Sequence, residues 1–583
     1  MLVVLVTFAV LVPTALAGRD AAAPLVEVAE GRVLGVTETS TKGREFHSYY
    51  GIPFAKPPVG ELRLQDPVQA ERWEGVRDGS RTPSPCLLVP LAYAAMGVTL
   101  APEDLRGNED CLYLNVFTPK TETSKNYPVM VWIHGGAYLA GGAYEYRPHV
   151  LMNHDIVLVV LQYRVGIMGF LSTEDEVIPG NFGLKDQTLA LRWVQDNIHS
   201  FGGDADRVTI FGESAGGASV HYHILSPKSK GLFSRAIMQS GSALAPWARH
   251  EQHRRVAKEV SKAVGCSKAF GHKYEILDCL QEVDGRKLAA RFQDFMEWFI
   301  LPAVALPLVD GDFVPDLPAR LMQVGAFNQV DLMAGITRDE GALVTNPMLA
   351  RKDLFPALQN NFPVFGPVSL MVRPEIDDAL VFSTKVYQHY LGNATIDRDH
   401  IKELTKMNTD YSFAVPHDLT TLYHARVPGL ATYRYELKHR SQLSMGDFFK
   451  TNIGRQWISH GDDLYYLFAG GPLLNPSSLP SRPRDLQSEE DLRLRDIITT
   501  MWTNFAATGN PTPDDALGFK WEAATEDDLR YLALTPFPVM EADQRQEVRD
   551  FYASLPTKMN QIHYSDGGVY REESSCLVCQ EDL

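Results

Sequence analysis

Gly212-Glu213-Ser214-Ala215-Gly216 is the stretch whose residue types and spacing most directly suggest chemistry. It follows a β-branched and aromatic run, Val208-Thr209-Ile210-Phe211, and leads into a helix-like run ending at Leu225. A serine hydroxyl on a sharp strand-to-helix turn is lifted clear of the sheet and placed at a helix N-terminus, and small residues around it keep the tight turn free of clashes. Such a serine is suited to nucleophilic attack on a carbonyl carbon, with a covalent acyl intermediate. An ordinary Gly-rich turn with a capping serine is the plainer reading of the five residues alone. The strand before and the helix after favour the nucleophile.

A nucleophilic serine needs a base, an acid to orient the base, and N–H donors for the developing oxyanion. His134-Gly135-Gly136-Ala137 follows the strand-like run Val129–Ile133 and can turn backbone N–H groups toward an oxyanion. Removing one such donor raises a barrier by about 3–4 kcal/mol. The base and acid are harder to read among 17 histidines. On a sheet of this type the chain order is serine, then acid, then histidine, which confines the base to the C-terminal part. Asp339-Glu340-Gly341 and Ser459-His460-Gly461-Asp462-Asp463 both read as loops beside predicted elements, and pattern alone leaves the choice between them open.

The elements that must position these residues alternate between strand-like and helix-like runs, which predicts an α/β fold with a large, mostly parallel central sheet flanked by helices. Predicted strands cover 129–133, 155–163, 208–211, 236–239 and 332–336, and predicted helices cover 187–198 and 491–507. The stretch 342–457 reads as more helical, an inserted cap over the sheet edge. A Pro-rich loop covers 471–484, and the residues from 557 on read as a polar tail. No linker or repeat divides the chain, so residues 18–556 are expected to form a single domain.

Residues 1–17 resemble a secretory signal peptide, with an apolar core followed by Ala15 and Ala17, though without a Lys or Arg ahead of it. No other run is long and apolar enough to span a membrane. Six cysteines in an exported chain read as disulfides. Locality suggests Cys86 with Cys111 and Cys266 with Cys279, and leaves the pairing of Cys576 and Cys579 open. Asn393-Ala394-Thr395 is an N-glycosylation acceptor. The net charge of −17 argues against nucleic acid as a partner, and the basic stretch 254–273 also carries Glu259, so it reads as a solvated helix face. No metal and no cofactor is called for.

Several further motifs fall in one order: Gly51-Ile52-Pro53-Phe54-Ala55, Pro57-Pro58-Val59-Gly60, Glu109-Asp110-Cys111-Leu112-Tyr113-Leu114-Asn115, His134-Gly135-Gly136, Phe211 to Gly217, Asp339-Glu340-Gly341 and His460-Gly461-Asp462. With them the chain resembles the type-B carboxylesterases, which include cholinesterases and arthropod esterases, over nearly all of its length after the leader. The resemblance implies an α/β-hydrolase fold with helical cap insertions and a triad of Ser214, Glu340 and His460. It implies an oxyanion hole from the N–H groups of Gly136, Ala137 and Ala215. It also implies an acyl pocket at Trp247 and a hydroxyl from Ser240 near the triad, and it supports the two local disulfides. Glu213 reads as a buried supporting carboxylate. The expected activity is hydrolysis of small to medium, largely apolar esters.

Two departures shape that expectation. The third glycine common in the oxyanion turn is Ala137 here, and the loop from Cys86 to Cys111 has no Trp. A quaternary ammonium rests on an aromatic face, so choline esters are not expected to be preferred. The juvenile-hormone esterases typically have Gln where Glu213 stands, which counts against a hormone-clearing role. Rival readings are a non-catalytic adhesion relative and a lipase working at lipid interfaces. The C-terminal Gln580-Glu581-Asp582-Leu583 resembles an ER-retention signal, so secretion is expected first and the ER lumen second. Whether the protein is a monomer or homodimer is left open.

Overall fold

The computed structural model describes residues 23–90, 96–119, 125–272, 274–372, 378–557, 560 and 562. The leader 1–17, Cys576, Cys579 and the final four residues lie outside them. A small sheet is formed by β1 (Leu25–Val28), β2 (Gly31–Leu34) and β5 (Val76–Asp78). The large sheet has eleven strands: β3 (Val36–Thr39), β4 (Glu45–Pro53), β6 (Tyr113–Thr118), β7 (Tyr127–Ile133), β8 (Val157–Leu161), β9 (Gly203–Glu213), β10 (Arg235–Gln239), β11 (Asp331–Thr337), β12 (Thr432–Leu437), β13 (Tyr531–Leu534) and β14 (Val539–Glu541). Their order is β14-β13-β12-β11-β10-β9-β7-β8-β6-β4-β3.

The strands from β8 to β13 pair in parallel, as the alternating pattern predicts, while both flanks are antiparallel, which makes the sheet mixed. Burial on both faces explains the continuous apolar runs. Val129, Val131 and Ile133 of β7 pack into the core on one face, and Met130 and Trp132 into the core on the other.

The helices Phe182–Asn197 and Glu489–Thr508 extend the predicted ones by a few residues. The second starts at Ser488, whose side chain accepts the Asp491 N–H, and stops at Gly509 in a left-handed conformation. Helix His253–Ala263 buries Val256, Ala257 and Val260 and turns Arg254, Arg255, Lys258 and Lys262 to solvent, so the basic stretch is a solvated face there. Both expected disulfides, Cys86–Cys111 and Cys266–Cys279, are formed. Among the described residues no helix is long and apolar enough to cross a membrane.

The expected cap is shorter than the sequence suggested. Its helices run from Ala342 to Ala425 with a core of their own, and the next segment returns to the large sheet as β12. All of β12 is buried, yet its sequence carries Arg434 and Glu436 and so does not read as a core strand. The charges are matched inside the protein: Arg434 pairs with Asp418 and Glu436 with Arg545.

Candidate active site

Ser214 sits between the end of β9 and the start of helix Ala215–Leu225, with φ 59° and ψ −124°. A non-glycine residue with positive φ is uncommon and costs of order 1–3 kcal/mol. The surroundings hold it there. Its N–H donates to the Gln239 carbonyl of β10 at 2.8 Å, and its carbonyl accepts the Ala218 N–H at 2.9 Å. The flanking glycines are required by close approach: a Cβ on Gly216 would lie 2.0 Å from the Ile133 carbonyl oxygen, and one on Gly212 2.5 Å from it.

The turn after β7 lies against this elbow, where a Cβ on Gly135 would come 3.1 Å from the Ser214 Cβ. Ala137 and Tyr138 both have positive φ, 55° and 58°. His134 anchors the turn. Its ring stacks on Tyr163 at 4.3 Å, its Nδ1 lies 2.9 Å from the Gly135 carbonyl, and its own carbonyl accepts the Tyr163 hydroxyl at 2.7 Å. Burial pushes the His134 pKa down to about 4, so the ring is neutral and holds shape without adding charge. The N–H groups of Gly136, Ala137 and Ala215 have no partner among the described residues.

The loop that carries Glu340 follows β11, and the loop that carries His460 precedes the short helix Leu464–Leu467. Asp339 stitches them together: its N–H donates to the Ile458 carbonyl at 3.1 Å, and its carboxylate accepts the Ile458 N–H at 2.9 Å. Asp462 pins the second loop by accepting the N–H groups of Met445 and Ser459. One residue from each of these loops pairs with one from the other. His460 Nδ1 is 2.6 Å from Glu340 Oε2. Glu340 is fully buried, and its other oxygen accepts the Ser240 hydroxyl at 2.5 Å and the Thr337 N–H at 2.7 Å. The structure therefore brings Ser240 into direct contact with Glu340.

The second ring nitrogen, Nε2 of His460, is 3.0 Å from Glu213 Oε1. The imidazole thus lies between two buried carboxylates. Burial opposes its charge, but Glu213 and Glu340 outweigh burial and push its pKa up. Burial pushes the Glu213 carboxyl up, and the imidazole offsets this only in part. Asp463 lies behind, accepting from Gln239 at 2.7 Å, and burial raises it to about 6. Asp463 closes the His460 motif, while Gln239 carries no signal in the sequence beyond its place at the end of a predicted strand.

Trp247 is partly buried, donates its indole N–H to the Ser412 carbonyl at 2.9 Å, and packs on Phe413. Phe413 also packs on the His460 ring, with centroids 4.9 Å apart. No sequence motif pointed to Phe413. Asn393 is exposed just beyond helix Ala379–Leu391.

A serine on a tight turn at the end of a parallel strand, near a buried imidazole–carboxylate pair, is the layout that serine hydrolases of the α/β-hydrolase fold share. Comparison with known proteins sharpens the class. Residues 22–552 match the model of the carboxylesterase family, and the chain belongs to that family. It is 36% identical over 85% of both chains to a juvenile hormone esterase of Tribolium castaneum. It is 31% identical over 94% of its length, and 96% of the relative's, to venom carboxylesterase-6 of Apis mellifera. It is 35% identical over 94% of both chains to pyrethroid hydrolase Ces2a of Mus musculus. The protein is a carboxylic ester hydrolase.

Proposed function

We propose that Ser214 attacks the ester carbonyl while His460 takes its proton, and that Glu340 holds the imidazole tautomer and stabilises its charge. The N–H groups of Gly136, Ala137 and Ala215 receive the oxyanion. His460 returns the proton to the leaving alcohol, and water then cleaves the acyl-enzyme with the same base. The observation that carries this reading is the 2.6 Å contact between His460 and Glu340, with the other ring nitrogen 3.0 Å from Glu213, the chain neighbour of Ser214. The test is labelling with an organophosphate followed by peptide mapping: the phosphoryl group is expected on the peptide containing Ser214, and a label elsewhere would overturn the assignment.

Residues 18–556 act as one domain in this reading, with 557–583 a polar tail. The substrates are small to medium, largely apolar esters. The apolar pair Trp247 and Phe413 supports this, as do relatives whose names give pyrethroids and juvenile hormone as substrates. In a kinetic panel of choline, pyrethroid and juvenile-hormone-like esters, kcat/KM is expected to be lowest for the choline ester. The leader, the two disulfides and the exposed Asn393 support export with glycosylation at that site. Cell fractionation with and without residues 580–583 tests secretion against retention in the ER lumen.

The carboxylate facing Nε2 has a kinetic consequence. A base must first lose its proton, and Glu213 favours the protonated imidazole. The acid limb of kcat/KM is therefore expected above the ordinary histidine range. Glu213→Gln removes that charge, lowers the His460 pKa, and should move the limb to lower pH by about one unit or more. An unmoved limb in a stopped-flow pH series would show that Glu213 does not act on the base.

A further inference from the structure

The turn after β7 needs outside support to keep its shape. Ala137 and Tyr138 are consecutive non-glycine residues at positive φ, a conformation that persists only where the surroundings over-determine it. The groups that impose it lie just after β8, in residues 162–166. Tyr163 reaches the start of the turn. Its hydroxyl donates to the His134 carbonyl at 2.7 Å, and its ring stacks on the His134 imidazole at 4.3 Å with 18° between the planes. Burial pushes the Tyr163 hydroxyl pKa up, so the group remains a donor. Gly166 reaches the end of the turn, where its N–H donates to the Tyr138 carbonyl at 2.5 Å. A Cβ on Gly141 would collide with His134 Nδ1 and the Gly135 carbonyl, so bare backbone packs against the imidazole edge.

Tyr163 is itself held through both chain neighbours. The Gln162 side chain donates to the Cys111 carbonyl at 2.8 Å. Arg164 makes two side-chain bonds to the buried Asp186 carboxylate, at 2.8 and 2.7 Å, and its backbone N–H adds a third at 3.0 Å. The far end of the turn is tied onward. The Ser219 hydroxyl, on the helix Ala215–Leu225, donates to the Tyr138 hydroxyl at 3.4 Å. One rigid support thus joins the turn that carries the Gly136 and Ala137 N–H groups to the helix that begins with Ala215.

We propose that Tyr163 is a positioning residue for the oxyanion hole: through the carbonyl and the ring of His134 it sets the peptide plane that opens the turn, and with it the directions of the Gly136 and Ala137 N–H groups. The proposal rests on the proposed function, in which those groups receive the oxyanion. A peptide unit is planar, so fixing the His134 carbonyl also fixes the Gly135 N–H. Only a few φ and ψ angles then remain before Tyr138, where Gly166 holds the chain again. Donors stabilise a transition state when they stay within about 0.5 Å of the productive place. Two adjacent glycines without such support would let them spread. Tyr163 is fully buried and acts through His134.

The experiment compares the parent with Tyr163→Phe, Tyr163→Leu and Tyr387→Phe, each assayed well below its thermal transition. Tyr163→Phe removes the hydroxyl and keeps a ring over His134; Tyr163→Leu removes the ring as well. Tyr387→Phe deletes another buried hydroxyl, which meets the Ser369 hydroxyl at 2.8 Å within the cap, and controls for lost stability. Each protein is measured for kcat and KM with p-nitrophenyl butyrate and for the Ki of a trifluoromethyl ketone. Ser214 Oγ adds to the ketone carbon, its proton passes to His460, and the carbonyl oxygen becomes the anion that the turn must hold. Tyr163→Phe is expected to lower kcat roughly 10-fold, less than the 10²–10³ of a whole lost donor. KM should change little, and the ketone should bind more weakly by the same factor as kcat falls. Tyr163→Leu should deepen both losses together, and Tyr387→Phe should keep parent-like kcat and Ki. Parent-like kcat and Ki in Tyr163→Phe would overturn the proposal, as would a fall in kcat with the ketone still held as tightly as by the parent. An equal loss in Tyr387→Phe would also overturn it, because the effect would then follow stability and not the turn. Should Tyr163→Leu not fold, the paired losses in Tyr163→Phe decide alone. Failure of the underlying reading shows separately, as a parent that the ketone does not inhibit.

Discussion

Ser214→Ala is expected to lower kcat toward p-nitrophenyl butyrate by roughly 10⁶-fold, the scale seen when a serine hydrolase loses its nucleophile. KM and the thermal transition should change little. The elbow is held by backbone bonds from Gln239 and to Ala218 that do not involve the hydroxyl. Alanine meets the same positive φ as serine does, so the substitution adds little strain of its own. The rate that survives should be that of the N–H groups at Gly136, Ala137 and Ala215 with ester bound but no covalent step. The variant should also be inert to organophosphates. Parent-like turnover after active-site titration would place the nucleophile elsewhere.

Asp418→Ala should cost about 3–5 kcal/mol of stability, the usual loss when one partner of a buried ion cluster is removed. Asp418 is fully buried on the cap helix Val415–Ala425. Its carboxylate is paired with Arg434 of β12, takes two bonds from Arg545, at 2.7 and 2.9 Å, and takes one from Arg549, at 2.9 Å. Arg545 also reaches Glu436 at 2.8 Å, and Arg549 reaches Asp543. Three guanidinium groups thus face three carboxylates, and removing Asp418 leaves the fully buried Arg434 without its counter-charge. The cluster joins a cap helix, a strand of the large sheet and the C-terminal helix Gln546–Ala553, so its loss should loosen all three. Burial alone would raise the Asp418 carboxyl, but Arg545 and Arg434 hold it well below the ordinary range. A carboxyl with a lowered folded pKa contributes fully above its unfolded pKa of about 4 and loses that contribution as pH falls below it. Urea unfolding of parent and variant should therefore differ most at neutral pH, with the gap narrowing in acid. A difference under about 1 kcal/mol, the range of surface pairs, would mean the cluster carries little stability.

The large sheet was legible where both faces are apolar. Val157–Leu161 reads as a buried strand because every side chain enters a core. Thr432–Leu437 did not, because Arg434 and Glu436 are neutralised by Asp418 and by Arg545, 109 residues beyond Glu436 in the chain. Hydropathy sees each residue without its partner.

The strand-turn-helix around Ser214 and the turn at His134 could be read directly because their backbone is local: a strand, a few small residues and a helix are enough to set it. The order of the motifs put the Glu340 and His460 loops forward as candidates in the C-terminal part, and no more than that. Which carboxylate meets which nitrogen was decided only on folding. Glu340 and His460 are 120 residues apart and join at Nδ1, while Glu213, next to Ser214, takes the side of Nε2. These pairings depend on the positions of the strand ends and on Asp339 tying two distant loops together, and no local stretch of chain encodes such a contact.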